Sequence, residues 1–195
     1  MLGTKGRMTQ IFDESGAVRA ATVVSAGPLT VTELRSPEKH GYTAAQVGFG
    51  AKKDTRVNRA QRGKPFRYFR EFGLEEVKHS IGETIDISIF APGDLVAVSA
   101  ISKGKGFQGV VKRHGFHGGP RSHGQKNKER APGSIGGGGR AGGRVIKGMR
   151  MAGRMGGQRV TVKNLRILQV DRAANILLIS GAIPGSPGTL VEIRG

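Results

Sequence analysis

The sequence predicts a mainly β body, a barrel or sandwich of short strands, with one long, extended, basic and glycine-rich loop and little helix. Three observations predict it. Short apolar and β-branched runs recur toward both ends of the chain, each bounded by Gly, Pro, Asp or Asn. No strand–helix–strand alternation interrupts them, so a parallel α/β sheet is not expected. Between residues 103 and 159 the apolar pattern stops, and 57 residues carry 18 glycines and 14 lysines or arginines.

The elements follow in order. Residues 8–12, the turn Asp13-Glu14-Ser15-Gly16 and residues 18–25 predict a hairpin. Gly27-Pro28 stops the second run, and residues 30–34 resume a β-rich composition. Residues 44–49 are the next candidate strand. Residues 84–90 alternate with period two through Ile85, Ile87 and Ile89, which predicts a strand with one face buried. Ala91-Pro92-Gly93-Asp94 turns the chain into a strand over 95–101. Residues 159–170 alternate imperfectly through Val160, Val162, Leu165 and Ile167. The turn 171–175 leads into a strand at 176–179, and 190–193 is the last. Helix is expected only within 53–61 and near 106–114. The expected division is a body of 1–102 and 160–195, with a basic insertion at about 52–70, and an arm of 103–159.

The charge follows the same division. The 195 residues hold 32 Lys plus Arg against 14 Asp plus Glu, a net charge of +18. Such an excess repels itself and attracts polyanions, of which nucleic acid is the first to consider. Residues 103–159 contribute +13, with Glu129 the single acid, and residues 52–70 contribute +7. The other 119 residues sum to −2. There is no cysteine, which excludes a disulfide framework, a thiolate zinc site and a cysteine nucleophile. No run of 18 apolar residues predicts a membrane-spanning helix, and the opening residues lack a signal-peptide pattern. No membrane partner is expected.

The arm has no leucine and only seven Val, Ile or Phe residues. Glycine loses more backbone freedom on ordering than any other residue, so this stretch has little burial to set against a large entropy. A polyanion supplies the order instead, because each Lys or Arg placed on a phosphate releases counterions. Glycine then lets backbone approach backbone closely. Each limb, about half the stretch, reaches at most roughly 90 Å when extended.

Three patterns have competing readings. Gly104-Lys105-Gly106-Phe107-Gln108-Gly109 matches G-x-G-x-x-G. A dinucleotide site also needs a second strand after the helix, and none is predicted. His114, His117 and His123 cluster, yet a cation is repelled from a +13 stretch with one carboxylate. Base or phosphate contacts are the expected role. Phe66, Tyr68, Phe69 and Phe72 are interleaved with Lys52, Lys53, Arg56, Arg59, Arg62, Lys64, Arg67 and Arg70. Such a pattern suits exposed bases, or else the aromatics join the core and the charges face outward. The second reading is preferred. No paired carboxylates and no nucleophile motif are present, so no catalytic residue, cofactor or small-molecule substrate is predicted.

Longer blocks resemble a known family. Residues 102–113 read Ser-Lys-Gly-Lys-Gly-Phe-Gln-Gly-Val-Val-Lys-Arg, 131–136 Ala-Pro-Gly-Ser-Ile-Gly, and 147–156 Lys-Gly-Met-Arg-Met-Ala-Gly-Arg-Met-Gly. With Leu2-Gly3-Thr4-Lys5, Met8-Thr9-Gln10-Ile11-Phe12, Tyr68-Phe69-Arg70-Glu71-Phe72 and Gly181-Ala182-Ile183-Pro184-Gly185, they resemble the bacterial-type large-subunit ribosomal protein L3 family. The resemblance runs through nearly the whole chain in one order. It implies a six-stranded barrel of the translation-protein type and a loop reaching toward the peptidyl transferase centre. It also implies binding to large-subunit (23S-type) ribosomal RNA early in assembly, neighbouring large-subunit proteins as partners, and a cytoplasmic or organellar ribosome.

Three departures stand out. Arg7 replaces a glycine, Ala97 replaces an Asp or Asn, and residues 137–144 contain no counterpart of a modified tip glutamine. The expected RNA-binding residues are Lys52, Lys53, Arg56, Arg59 and Arg62 in the insertion. In the arm they are Lys103, Lys105, Lys112, Arg113, His114, His117, Arg121, His123, Lys126, Lys128, Arg130, Arg140, Arg144, Lys147, Arg150, Arg154 and Arg159. Gly136, Gly137, Gly138 and Gly139 permit close passage at the tip, expected near 132–144. The competing class is a generic nucleic-acid-binding or DNA-compacting protein that uses the same charge.

Overall fold

The computed structural model describes residues 1–13, 15–74, 79–137 and 142–195. It groups into two units, Met1–Ile101 with Arg159–Gly195, and Ser102–Gln158. In chain order the strands are β1 (Leu2–Phe12), β2 (Val18–Ala26), β3 (Leu29–Arg35), β4 (Ala44–Ala51), β5 (Phe66–Gly73), β6 (Thr84–Ile85), β7 (Leu95–Ile101), β8 (Phe107–Gln108), β9 (Gly153–Arg154), β10 (Arg159–Asp171), β11 (Ile176–Ser180) and β12 (Leu190–Arg194). Among the described residues, two short helices, α1 (Pro37–His40) and α2 (Val110–His114), complete the regular structure with three single 3-10 turns.

Six strands of the first unit close on themselves in the order β1-β12-β7-β10-β11-β2, with β2 returning to β1. Every neighbouring pair is antiparallel. Closure leaves no unpaired edge in this ring. The inward positions are those alternation requires: Val24 and Ala26 on β2, Val96 and Val98 on β7, Leu177 and Ile179 on β11, and Val191 and Ile193 on β12. Register shifts interrupt the long strands. One lies between Val162 and Leu165 of β10, where Asn164 takes φ 58°. Asparagine tolerates this left-handed conformation, and such bulges bend a strand around a closed sheet.

The second sheet has the order β5-β4-β3-β6. Val31, Ala45 and Val47 from it join the same apolar cluster as the ring. Gly48 of β4 has a packing reason to be glycine: a Cβ there would lie 2.5 Å from Cγ of Phe66. The Phe66 ring can retreat only by rotating away from its edge contact with Phe69. Gly48→Ala should therefore lower the unfolding free energy by about 1–3 kcal/mol through overpacking. Gly73→Ala on the neighbouring strand meets nothing within 4 Å and is the matched control. Urea unfolding of the two variants checks the difference, and equal stabilities would contradict it.

Residues 84–90 correct the expectation of a strand. Only Thr84–Ile85 pairs with β3, and Ile87–Ile89 forms a 3-10 turn closed by the Phe90 amide on the Ile87 carbonyl at 3.1 Å. Three residues per turn put Ile87 and Phe90 on one side, and both are buried, whereas Ile89 faces out. The i, i+3 pair outweighs the period-two pattern. The helix expected at 106–114 shortens to Val110–His114, and that within 53–61 is two 3-10 turns, Asp54–Arg56 and Arg59–Gln61.

Candidate nucleic-acid interface

The insertion at 52–70 is tied down at its start. The Lys52 amide donates to the Pro65 carbonyl at 2.8 Å and its Nζ to Oε1 of Gln61 at 3.1 Å. Lys53, Arg56, Arg59 and Arg62 are exposed on the intervening turns. The aromatics are packed: Phe66 meets Phe69 edge-on at 6.3 Å, Tyr68 stacks on Phe49 at 6.4 Å, and Phe72 lies against the core. Lys64 pairs with Glu33 at 2.8 Å, and this hydrogen bond holds the Glu33 carboxyl below its ordinary pKa. Glu71 is lowered in the same way, first by the Tyr42 hydroxyl and then by Arg35. Glu33 thus offsets Lys64 of the insertion, whereas Glu71 is held by Tyr42 and Arg35 outside it, so the outward positive charge rests on Lys53, Arg56, Arg59 and Arg62 of the turns and on Arg67 of β5.

Arg159 lies in β10, opposite Ile101 of β7. Its Nη2 donates to Oε2 of Glu192 at 2.5 Å, while Arg70 Nε donates to the other carboxylate oxygen at 2.8 Å. The Glu192 side chain is only 9% exposed. One buried carboxylate thus joins β5, β10 and β12, and it pairs the charge of Arg159, whose side chain is still half exposed. The expectation for Arg159 did not foresee Glu192; its one signal in sequence is an acid inside the run Leu190-Val191-Glu192-Ile193.

The second unit begins as a two-limbed ribbon. The Ser102 amide donates to Gln158, Lys105 to Met155, and Met155 to Gly106, at 2.8–2.9 Å. β8 and β9 then pair Phe107 with Arg154 and Gln108 with Gly153. Gly156, at φ 76°, brings the limbs together, since a Cβ there would overlap the Lys103 carbonyl oxygen. α2 starts at Gly109 and ends on Gly115 at φ 73°. Arg113 Nη1 and His114 Nε2 both reach the Met151 carbonyl, at 2.6 and 3.0 Å. A carbonyl only accepts, so Nε2 of His114 carries the proton. Gly153 leaves the room that the Arg113 guanidinium fills. Both side chains therefore brace the two limbs.

Beyond α2, the Gly119 amide donates to the Glu129 carbonyl at 2.9 Å. Arg121 pairs with the Glu129 carboxylate at 2.7 Å. Lys103, Lys105, Lys112, His117, His123, Lys126, Lys128, Arg130, Gly136, Gly137, Arg144, Lys147, Arg150 and Arg154 are exposed. Gly138, Gly139 and Arg140 lie outside the described residues. Among the described residues no three of His, Cys, Asp and Glu come together as metal ligands, and the three histidines are not brought to one point by any contact between them. The unit's only buried apolar side chain, among the described residues, is Val110, whereas Phe107 is 73% exposed. Such a surface can do electrostatic work on a polyanion, and it presents no enclosed chemistry.

Comparison with known proteins agrees with the blocks noted in the sequence. The family model described as Ribosomal protein L3 matches residues 71–178. The large ribosomal subunit protein uL3 of Acidothermus cellulolyticus is 48% identical over 202 aligned positions, covering 100% of this chain and 90% of that protein. That of Thermosynechococcus vestitus is 48% identical over 201, covering 99% and 94%, and that of Herpetosiphon aurantiacus 46% over 200, covering 99% and 94%. The chain belongs to the ribosomal protein L3 family. This is a family of ribosomal proteins and not of enzymes. In this L3-family chain the G-x-G-x-x-G stretch contains a two-residue strand and leads into a five-residue helix, not into a dinucleotide-binding unit. The matched span contains the whole of Ser102–Gln158, so the basic unit is part of what the family shares.

Proposed function

We propose that the chain is a structural constituent of the large ribosomal subunit. It binds large-subunit (23S-type) ribosomal RNA, nucleates assembly, and extends residues 103–159 as an arm toward the peptidyl transferase centre. The six-stranded ring serves as the translation-protein-type barrel that anchors this arm, and neighbouring large-subunit proteins cover part of it in the cytoplasmic ribosome. The observation that carries the reading is a stretch of net charge +13 in which nearly all of the described cationic side chains face solvent. Exposed Lys and Arg in that number suit phosphates. The arm cations other than Arg113, Arg121 and Arg159 make most of the contacts, and the insertion residues Lys53, Arg56, Arg59 and Arg62 form a second patch. The expected tip, 132–144, uses its glycines to pass close to the RNA backbone.

Competition binding tests it. Unlabelled 23S-type ribosomal RNA should displace a labelled 23S fragment at far lower concentration than duplex DNA of equal phosphate content. Equal displacement by DNA would assign the chain to generic compaction instead.

A further inference from the structure

Phe107 is the most exposed large apolar side chain among the described residues, at 73%. Single exposed apolar residues are ordinary on protein surfaces. This one differs in how it is held and in what surrounds it. The ribbon fixes its backbone from both sides, through the Lys105–Met155 and Met155–Gly106 hydrogen bonds before it and the Gln108–Gly153 pairing after it. The Gln108 side-chain amide also folds back onto the Lys105 carbonyl. Directly opposite stands Arg154, itself exposed. Residues opposite one another in an antiparallel pair project to the same face, with Cβ atoms about 4.5–5.5 Å apart. Phe12, the next most exposed at 69%, is followed by Asp13, whose carboxyl is lowered to about 2 by the Ser15 hydroxyl and Arg19. That charge repels phosphate, whereas Phe107 has Lys105 before it and Arg154 across from it.

We infer that Phe107 is a stacking platform for an unpaired base of the RNA, with Arg154 holding the phosphate or the base face beside it. The inference rests on the RNA-binding reading and deepens it: the site takes a splayed, single-stranded nucleotide, not a duplex. An aromatic face is sequence-tolerant, because every base has a π-face. A-form duplex hides its base faces, so the platform needs a loop or bulge. The ribbon pre-organises the ring, and little freedom is lost when a base arrives.

The chain contains no tryptophan, so Phe107→Trp introduces a single fluorophore at the platform. The probe is full-length large-subunit ribosomal RNA. Phe107→Trp should bind at least as tightly as the unaltered protein, with its fluorescence strongly quenched. Ile89→Trp, an exposed position on the first unit, should stay bright. Phe107→Ala and Phe107→Leu should each weaken binding by about 5- to 150-fold. They should leave the slope against salt unchanged, since neither removes a charge. Thermal unfolding should not move, because the ring is exposed. Unquenched Phe107→Trp, or Phe107→Leu binding like the unaltered protein, overturns the platform and leaves RNA binding standing. Absence of salt-dependent binding by the unaltered protein overturns the RNA-binding reading, and the platform with it.

Discussion

Raising monovalent salt from 50 to 200 mM should weaken binding to large-subunit ribosomal RNA by about four-thousand- to sixteen-thousand-fold. The size follows from counting which cations are available. Of the 14 Lys and Arg at 103–159, Arg121 is paired with Glu129 and Arg159 with Glu192. Arg113 keeps its charge but directs one donor to the Met151 carbonyl. The others, with the insertion's turn residues, exceed what is needed to neutralise about eight phosphates, which gives a log–log slope of about −6 to −7. Lys126→Gln with Lys128→Gln should reduce the magnitude of that slope by about 2, since both are exposed on one segment. Arg121→Gln should change it less, because Arg121 is already paired with Glu129 at 2.7 Å and so is not one of the cations placed on phosphate. A filter-binding or anisotropy titration at five salt concentrations measures all three. A slope near zero in the unaltered protein would remove the electrostatic account of binding.

The ring was legible because its strands bury one face. Residues 95–101, 176–179 and 190–193 are short apolar runs bounded by turn residues, and each lies in the closed sheet with Val98, Ile179 and Ile193 inside. β5 was not legible as a strand. Its charges fall at Arg67, Arg70 and Glu71 and its aromatics at Phe66, Tyr68, Phe69 and Phe72, so neither face is purely apolar. The parity breaks at Phe69, which packs edge-on to Phe66 instead of alternating with it. In the candidate site the charge was legible, because it depends on composition alone. What each cation touches was not. Arg113 meets a carbonyl 38 residues away and Arg159 a carboxylate 33 residues away, and both partners arrive only after the limbs pair and the ring closes.

With ribosomal RNA at about 100 times its Kd, tryptic cleavage between residues 115 and 150 should slow by about 100-fold, while the ring strands resist in both states. The argument lies in the contrast between the two units. Among the described residues, twenty-one of the buried apolar side chains belong to the first unit, and Val110 alone to the second. The ribbon at the base of the second unit has backbone hydrogen bonds from Ser102–Gln158 to Phe107–Arg154, but those bonds are solvent-exposed and carry little burial beneath them. Farther out, Arg121, Lys126, Lys128, Arg130, Arg144 and Lys147 are all exposed tryptic sites between glycines. Local opening of such a segment has a low free energy, so protease finds it readily in the free protein. Phosphates bound to the same side chains remove the cleavage sites and the opening together. Equal cutting with and without RNA would mean that the arm's order does not come from the nucleic acid. The glycines would then serve a fold that the protein sustains by itself.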